Sequence, residues 1–396
     1  MKTLILTVSA GFGHISVSKA LQAYIEKKGD AARTVDVLEY INPTLNRIFQ
    51  SYYIRSLRYI PEDIQSKVYE KEIRETLREA EKNEEEKKES LLEIVKSFGE
   101  EITLAEIFAK LIAGDKIREL IEEFQPDSVV STHPFIGDMM DGIYREEELS
   151  FSLLTIITDY VVHPSWFNET SDLFILPSEL LKYDLQTLHI DESKVRYLGI
   201  PVREEFDKIS RKQEERGRFT YLIMGGGYGL GKLKHYVQQL LSLEQEADIL
   251  VLCGKNEELR EELLRLGEER GYPNLHPYGF TEEVDVLMAA ADVLISKPGG
   301  VTLTETMQAG LPILIKDFLP GQEQRNVQFI LNNHLGVYAA TDMEFLSCCR
   351  RLFEDAEFRR QLRKNMEKIR KKETAAAIYE LLVSLRKGES HETDGD

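Results

Sequence analysis

Short apolar runs alternate with amphipathic stretches along almost the whole chain, and that alternation points to parallel α/β units. A parallel strand is covered on both faces, so it reads as an unbroken apolar run bounded by turn residues. In the first half these runs are Thr3–Ser9, Ala32–Val37, Ser128–Thr132, Phe151–Thr158 and Leu173–Leu176. In the second half they are Phe219–Met224, Asp248–Cys253, Val293–Ser296 and Ile313–Lys316. Between the halves, Arg203–Arg218 is charged and nearly free of large apolar residues, and a fresh strand with a glycine turn follows it. The expected architecture is two Rossmann-like domains, residues 1–202 and 218–372, joined by a linker at 203–217. A C-terminal helix and acidic tail take up 373–396. A length of 396 residues suits two domains of ordinary size.

One stretch breaks the alternation. Residues 44 to about 102 carry no strand signal and read as helical, and Glu79–Glu101 reads as a solvated helix or loop because it is dense in charge. The tail after Lys387 is polar and acidic and reads as disordered. The run Thr3–Ala10 is too short for the core of a signal peptide and reads as a first strand. No apolar run reaches the roughly 18–20 residues that span a bilayer. Three cysteines without metal-ligand spacing, two of them adjacent, argue against a disulfide framework and fit a reducing cytoplasm. A net charge of −19 argues against nucleic acid as a partner, since phosphate backbones demand clustered Lys and Arg.

The strongest chemical signal is Ser296-Lys-Pro-Gly-Gly-Val-Thr-Leu-Thr-Glu305, followed by Gly310-Leu-Pro312 and Pro320-Gly-Gln-Glu-Gln-Arg-Asn326. A strand ends at a Pro-Gly-Gly turn and a helix begins near Val301. Exposed N–H groups at a helix start, with glycines permitting close approach, make a site for a diphosphate. Thr302 can add a hydroxyl donor, and Glu305, one turn in, can accept hydrogen bonds from a ribose diol. Gln322, Glu323 and Asn326 bring the mixture of amide and carboxylate that suits sugar hydroxyls. Nearer the N-terminus, Gly11-Phe-Gly-His14 follows the first strand and opens a helix. Gly13 lets backbone approach a substrate, and His14 has the near-neutral pKa of a general base. Asp36 on a second strand echoes a nicotinamide-binding fingerprint, but Ser16 stands where its third glycine belongs. Asp159 and His163 flank the end of a buried strand. With His133 they also suggest a metal site.

This ordered series resembles the branch of glycosyltransferase family 28 that contains processive diacylglycerol glucosyltransferases and plant monogalactosyldiacylglycerol synthases. The resemblance covers most of residues 1–340. It includes Leu6-Thr-Val-Ser-Ala-Gly-Phe-Gly-His14, Ser131-Thr-His-Pro-Phe135, Thr158-Asp-Tyr-Val-Val-His-Pro-Ser-Trp166 and Gly199-Ile-Pro-Val202. It continues through Met224-Gly-Gly-Gly-Tyr-Gly229, Leu252-Cys-Gly-Lys-Asn256, Gly279-Phe-Thr281 and the two turns above. The resemblance implies a GT-B fold, inversion at the anomeric carbon, no catalytic metal and no cofactor beyond a UDP-sugar donor. It places Phe280 beside the uracil, Gly299, Gly300, Val301 and Thr302 around the diphosphate, Glu305 on the ribose, and Gln322 and Glu323 on the sugar. Gly225, Gly226 and Gly227 would open the second domain towards the cleft. Asp159, His133, His163 and Trp166 would line the acceptor side, with His14 or Asp159 as the base.

Pro43–Pro61 contains three arginines and no acidic residue. At about 100° per residue, Arg47, Arg55 and Arg58 share one helix face, and Phe49, Tyr52 and Tyr53 lie on the other. Such a helix can bury aromatics at a lipid interface while its arginines meet anionic headgroups. Packing of its apolar face on the core is the alternative. The expected acceptor is diacylglycerol or a glycosyl-diacylglycerol, taken at an anionic membrane surface by a cytoplasmic protein peripheral to the inner face. The alternatives weighed are a UDP-GlcNAc transferase acting on a polyprenyl-diphosphate intermediate, a UDP-GlcNAc 2-epimerase and a non-catalytic UDP-sugar sensor.

Overall fold

The computed structural model describes residues 1–9, 12–41, 114–144, 149–209, 217–229, 231–318 and 322–392. The expected helical stretch 44–102, including Arg47, Phe49, Tyr52, Tyr53, Arg55 and Arg58, lies outside them.

Each half is built on a six-stranded sheet whose strands all pair in parallel. In the first half the strands are β1 (Lys2–Thr7), β2 (Ala31–Asp36), β3 (Ser128–Ser131), β4 (Ser152–Ile156), β5 (Leu173–Ile175) and β6 (Val195–Arg196), in the order β2-β1-β3-β4-β5-β6. In the second they are β7 (Phe219–Met224), β8 (Ala247–Leu252), β9 (Leu275–Tyr278), β10 (Val293–Ser296), β11 (Ile313–Ile315) and β12 (Gly336–Tyr338), in the order β12-β11-β10-β7-β8-β9. The central strands are continuous apolar runs because both of their faces are covered: Leu4, Ile5 and Leu6 of β1 are all fully buried. Strands β6, β9 and β12 were not among the expected runs. They are two to four residues long and partly exposed, all three are sheet edges, and none carries a sustained apolar signal.

Strand order reverses once in each half, between β1 and β3 and between β7 and β10. Loops leaving the carboxyl ends of the strands diverge at such a point, and ligands of open α/β sheets bind there. The loops in question carry His14 and His133 in the first half, and Gly225–Gly227 and Gly299–Thr302 in the second.

The start of the expected linker is firmly held. A short helix, Glu204–Asp207, buries Phe206 completely, and Arg203 forms an ion pair with Asp285 at 2.9 Å. The last helix, Thr374–Glu392, returns to the first half. Thr374 Oγ1 donates to Leu198 O at 3.1 Å and Tyr379 OH donates to Asp30 Oδ2 at 2.8 Å. This helix runs past Lys387, where the polar tail was expected to begin, because an established helix adds residues at little free-energy cost. Ile378 and Leu382 from it join Leu21 and Ile25 of the first half and Val301 and Met307 of the second in one apolar cluster.

The two halves meet backbone to backbone. A side-chain carbon placed on Gly300 would sit 2.0 Å from Thr158 O and 2.8 Å from Asp159 Cα. Only glycine fits between two rigid chain segments this close. Gly300→Ala therefore forces the halves apart, costing about 1–3 kcal/mol, the usual penalty of overpacking. The expected result is a melting temperature several degrees lower, read by calorimetry. An unchanged transition would mean that the halves do not touch here in solution.

Candidate active site

His14 lies in the first turn of the helix Phe12–Lys27, directly over the point where β1 and β3 part. Its Nδ1 is 2.8 Å from Thr132 O and 3.1 Å from Thr158 Oγ1. A carbonyl oxygen can only accept, so Nδ1 carries the proton and the basic lone pair sits on Nε2. Thr132 is itself fixed, since its hydroxyl donates to Thr7 Oγ1 at 2.9 Å and lies 3.0 Å from Ser18 Oγ. Burial holds the His14 imidazole below the ordinary histidine range. The Asp159 charge and the hydrogen bond to Thr132 O pull the other way and do not win. The ring is therefore neutral near pH 7, which is the form that accepts a proton.

His133 stands edge-on to His14, with ring centroids 4.7 Å apart. Its Nδ1 accepts from Phe135 N–H at 3.2 Å, capping the helix Pro134–Tyr144. Burial and the neighbouring His14 push its pKa well below the usual value. Asp159, 8% exposed, follows β4, and its Oδ1 accepts from Asn326 Nδ2 at 3.0 Å. His163 is exposed, and its Nδ1 accepts from Ser165 N–H at 3.2 Å. It caps a single 3-10 turn, Pro164–Trp166. Trp166 corrects an expectation: at 1% exposure it is a core residue 6.4 Å from the His14 ring centroid and offers no surface to a lipid. Among the described residues no group of three His, Cys, Asp or Glu side chains converges as a metal site.

Across the seam, the helix Gly300–Gln308 begins at Gly299 with no side-chain cap. Its first N–H groups are thereby left for a ligand, as the Pro-Gly-Gly turn implied. Gly13 faces this helix, since a carbon placed on it would lie 3.5 Å from Val301 Cγ2. Thr302 is half-buried at the helix start, and Glu305 follows one turn later. Burial raises the Glu305 carboxyl to about 7; Arg203 opposes that shift and Asp285 adds to it. Lys297, which sequence reasoning left out, puts Nζ 3.2 Å from Glu323 Oε1 in a half-buried pair beside the helix start. Its signal was a cation immediately before a Pro-Gly-Gly turn. Lys297 also lines a shallow cleft, together with Met224, Ser296, Lys316, Asp317 and Tyr236. That cleft opens at the strand-order reversal between β7 and β10.

The Gly225–Gly227 turn leaves β7 at the same point. Gly226 has φ +68°, which favours glycine, and Gly227 O accepts from Lys255 N–H at 3.0 Å. Phe280, two residues after β9, is 55% exposed. The helix Gln322–Asn332 starts at Gln322, whose side chain lies outside the described residues. Asn326 is a second correction. It was expected to contact sugar, yet it is fully buried, with Nδ2 donating to Asp159 Oδ1 and to Pro298 O and Oδ1 accepting from Tyr160 N–H.

Comparison with known proteins agrees with this geometry. Residues 14–202 match the family model described as monogalactosyldiacylglycerol (MGDG) synthase, and residues 220–382 match the glycosyltransferase family 28 C-terminal domain. The chain is similar to a processive diacylglycerol beta-glucosyltransferase of Bacillus subtilis (strain 168), 26% identical, with 96% of this chain and 94% of that one covered. The enzyme of the same name from Bacillus licheniformis is 28% identical, covering 92% and 90%. Among solved structures, MurG of Acinetobacter baumannii aligns with a TM-score of 0.63 at 12% identity, covering 97% of this chain and 99% of that one. The glycosyltransferase SnogD of Streptomyces nogalater gives 0.55 at 17%, covering 96% and 99%. These structural neighbours share the GT-B fold.

His14 is expected to titrate below about 6.5, the ordinary histidine value, in an NMR pH series. Asp159→Asn should lower it further, because the attraction favouring the charged ring is lost. A His14 pKa at or above the ordinary value would remove the neutral base from the site.

Proposed function

The chain belongs to glycosyltransferase family 28, and from that premise we propose that it is an inverting transferase moving a hexose from a UDP-sugar to diacylglycerol or a glycosyl-diacylglycerol. The family model over residues 14–202 and the curated relatives, whose names carry diacylglycerol, favour this acceptor over a polyprenyl diphosphate. The observation that carries the reading is the contact across the seam. His14, a neutral base, sits next to Gly13, and Gly13 packs on the start of the uncapped helix Gly300–Gln308.

In this reading the diphosphate rests on the N–H groups of Gly300, Val301 and Thr302, with the Thr302 hydroxyl as a further donor. Lys297 adds a full positive charge where the leaving group departs, released from Glu323 when that carboxylate turns to the sugar hydroxyls. Phe280 lies against the uracil and Glu305 accepts from the ribose diol. The lipid hydroxyl enters from the first half. Its oxygen attacks C1 of the sugar as the bond from C1 to the β-phosphate oxygen breaks, and its proton passes to His14 Nε2. UDP leaves with the bonding electrons, which helix-start N–H groups and Lys297 stabilise in place. The reading needs no cofactor beyond the donor.

No described helix is long and apolar enough to cross a membrane. We place the acceptor at an anionic membrane surface on the cytoplasmic side. The sequence pattern of Pro43–Pro61 supports this, with its arginines on one face and its aromatics on the other.

Radiolabelled UDP-glucose and UDP-galactose, incubated with and without diacylglycerol vesicles, should transfer label to the lipid extract only when vesicles are present. Label that never enters lipid would sink the proposal. His14→Ala should lower transfer by about 100-fold or more, while UDP affinity stays within about threefold. Glu305→Ala should weaken UDP binding by about 10–100-fold, the loss of a hydrogen-bonded charge. The acceptor form of Glu305 is the ionised one, and its pKa without nucleotide is about 7. UDP affinity should therefore rise as pH climbs through 7 and fall below it, and this dependence should vanish in Glu305→Ala. Calorimetry at pH 6 and pH 8 measures both.

A further inference from the structure

We propose that Asn326 is a positioning residue that ties the donor turn to Asp159 across the seam, so that the carboxylate beside His14 is in place only when the two halves are closed. Asn326 belongs to the second half, on the helix Gln322–Asn332, and is 0% exposed. Its amide is divided between the halves. Nδ2 donates to Pro298 O at 2.9 Å, immediately before the Gly299–Thr302 cradle, and to Asp159 Oδ1 at 3.0 Å. Oδ1 accepts from Tyr160 N–H at 3.0 Å. A primary amide has two N–H donors, and each is used on a different domain.

The surroundings favour a fixed geometry. Tyr160 OH lies 3.0 Å from Thr304 Oγ1, and its ring packs on Phe329 with centroids 4.7 Å apart. Arg325 Nη1 reaches Val162 O at 3.4 Å. The segment Asp159–Val162 is thus held along its length by the helix that starts at Gln322 and by the helix Gly300–Gln308. Opening the seam would strip Asp159 of a buried amide donor, and a carboxylate that loses such a partner reorients toward water. Asp159 acts on His14 through charge, and His133 is the other titratable group at that ring. A donor turn that is occupied and closed therefore completes the acceptor-side base, and an open one disarms it. This arrangement withholds the base from water until the donor is held between the domains.

The inference rests on the proposed transferase chemistry, but one arm of its test does not. The His14 pKa is followed by NMR in the wild type, Asn326→Ala, Asp159→Asn and the double variant. Asn326→Ala is expected to lower it toward the Asp159→Asn value, and the double variant to go no lower than Asp159→Asn alone. In transfer assays Asn326→Ala should lose about tenfold or more in kcat, with donor KM and UDP affinity within about fivefold. In the Asp159→Asn background the same change should cost less than about threefold. Asn326→Asp keeps the side-chain volume but sets a second carboxyl against Asp159. It should show the same kcat loss, with folding confirmed from its melting transition. A His14 pKa unmoved by Asn326→Ala, effects that multiply in the double variant, or wild-type kcat in Asn326→Asp would each overturn the assignment. A wild type that transfers no sugar, while Asn326→Ala still lowers the His14 pKa, removes the chemistry and keeps the linkage.

Discussion

The halves of this protein touch where there is no room for a side chain. Gly300 opens the donor-side helix directly against the carbonyl of Thr158, so two backbones are in contact without an intervening layer. That approach has a chemical consequence. The N–H groups left over at a helix start point along its axis, and here that start packs against Thr158, Asp159 and Gly13 of the first half. A larger residue at 300 would move the positive end of the helix away from His14. The buried amide of Asn326 then locks the register of the two surfaces, because its donors reach a carboxylate on one side and a carbonyl on the other.

Burial disfavours the charged form of two titratable groups of the site and so shifts their pKa values in opposite directions. At His14 it disfavours the imidazolium and leaves a neutral base. At Glu305 it disfavours the carboxylate and raises the pKa to about 7. A polar ligand compensates the second group, since ribose hydroxyls can supply the hydrogen bonds that the apolar surroundings withhold. The chain as a whole carries a net charge of −19, yet the proposed reaction releases an anion from this cleft. Local placement resolves the conflict. Lys297 and the helix start supply positive potential within a few ångströms, whereas acidic residues spread over the surface are screened by salt.

Much of this was legible in the residues, and the reasons differ from element to element. Strands β1, β3, β4, β7, β8 and β10 announced themselves because central parallel strands must be apolar throughout. The edge strands β6 and β12 are two and three residues long, and the third edge strand, β9, alternates and contains Pro277. None can show a run that its environment does not demand. The strand, glycine turn and helix around Gly299–Thr302 were readable because the apolar run of β10 ends at a Pro-Gly-Gly turn. Asn326 was misread for the converse reason. An amide near a sugar site and an amide buried between domains look identical in one dimension, and only the fold brings Asp159 within 3.0 Å of it. Trp166 failed the same way, since an indole that fills a core and one that meets a lipid share one letter.

The path of the chain constrains how the seam can move. The backbone passes from the first half to the second after Val202 and returns at the start of the helix Thr374–Glu392. The two passages are adjacent, since Thr374 donates to Leu198 O and a carbon placed on Gly199 would lie 2.6 Å from Thr374 Oγ1. Ion pairs between Arg203 and Asp285 and between Lys371 and Glu179 brace the same region. With both covalent crossings side by side, the natural motion is rotation about them rather than sliding. Glu305 is under the electrostatic influence of Arg203 and Asp285, which sets it near that axis, where displacement is small. The contact of Asp159 with Asn326 is a long way along the chain from either crossing, and it is made of hydrogen bonds that a small rotation would break. On the proposed chemistry, a nucleotide held at its ribose by Glu305 would stay bound while the seam is open, and the base would be assembled only as the rotation completes.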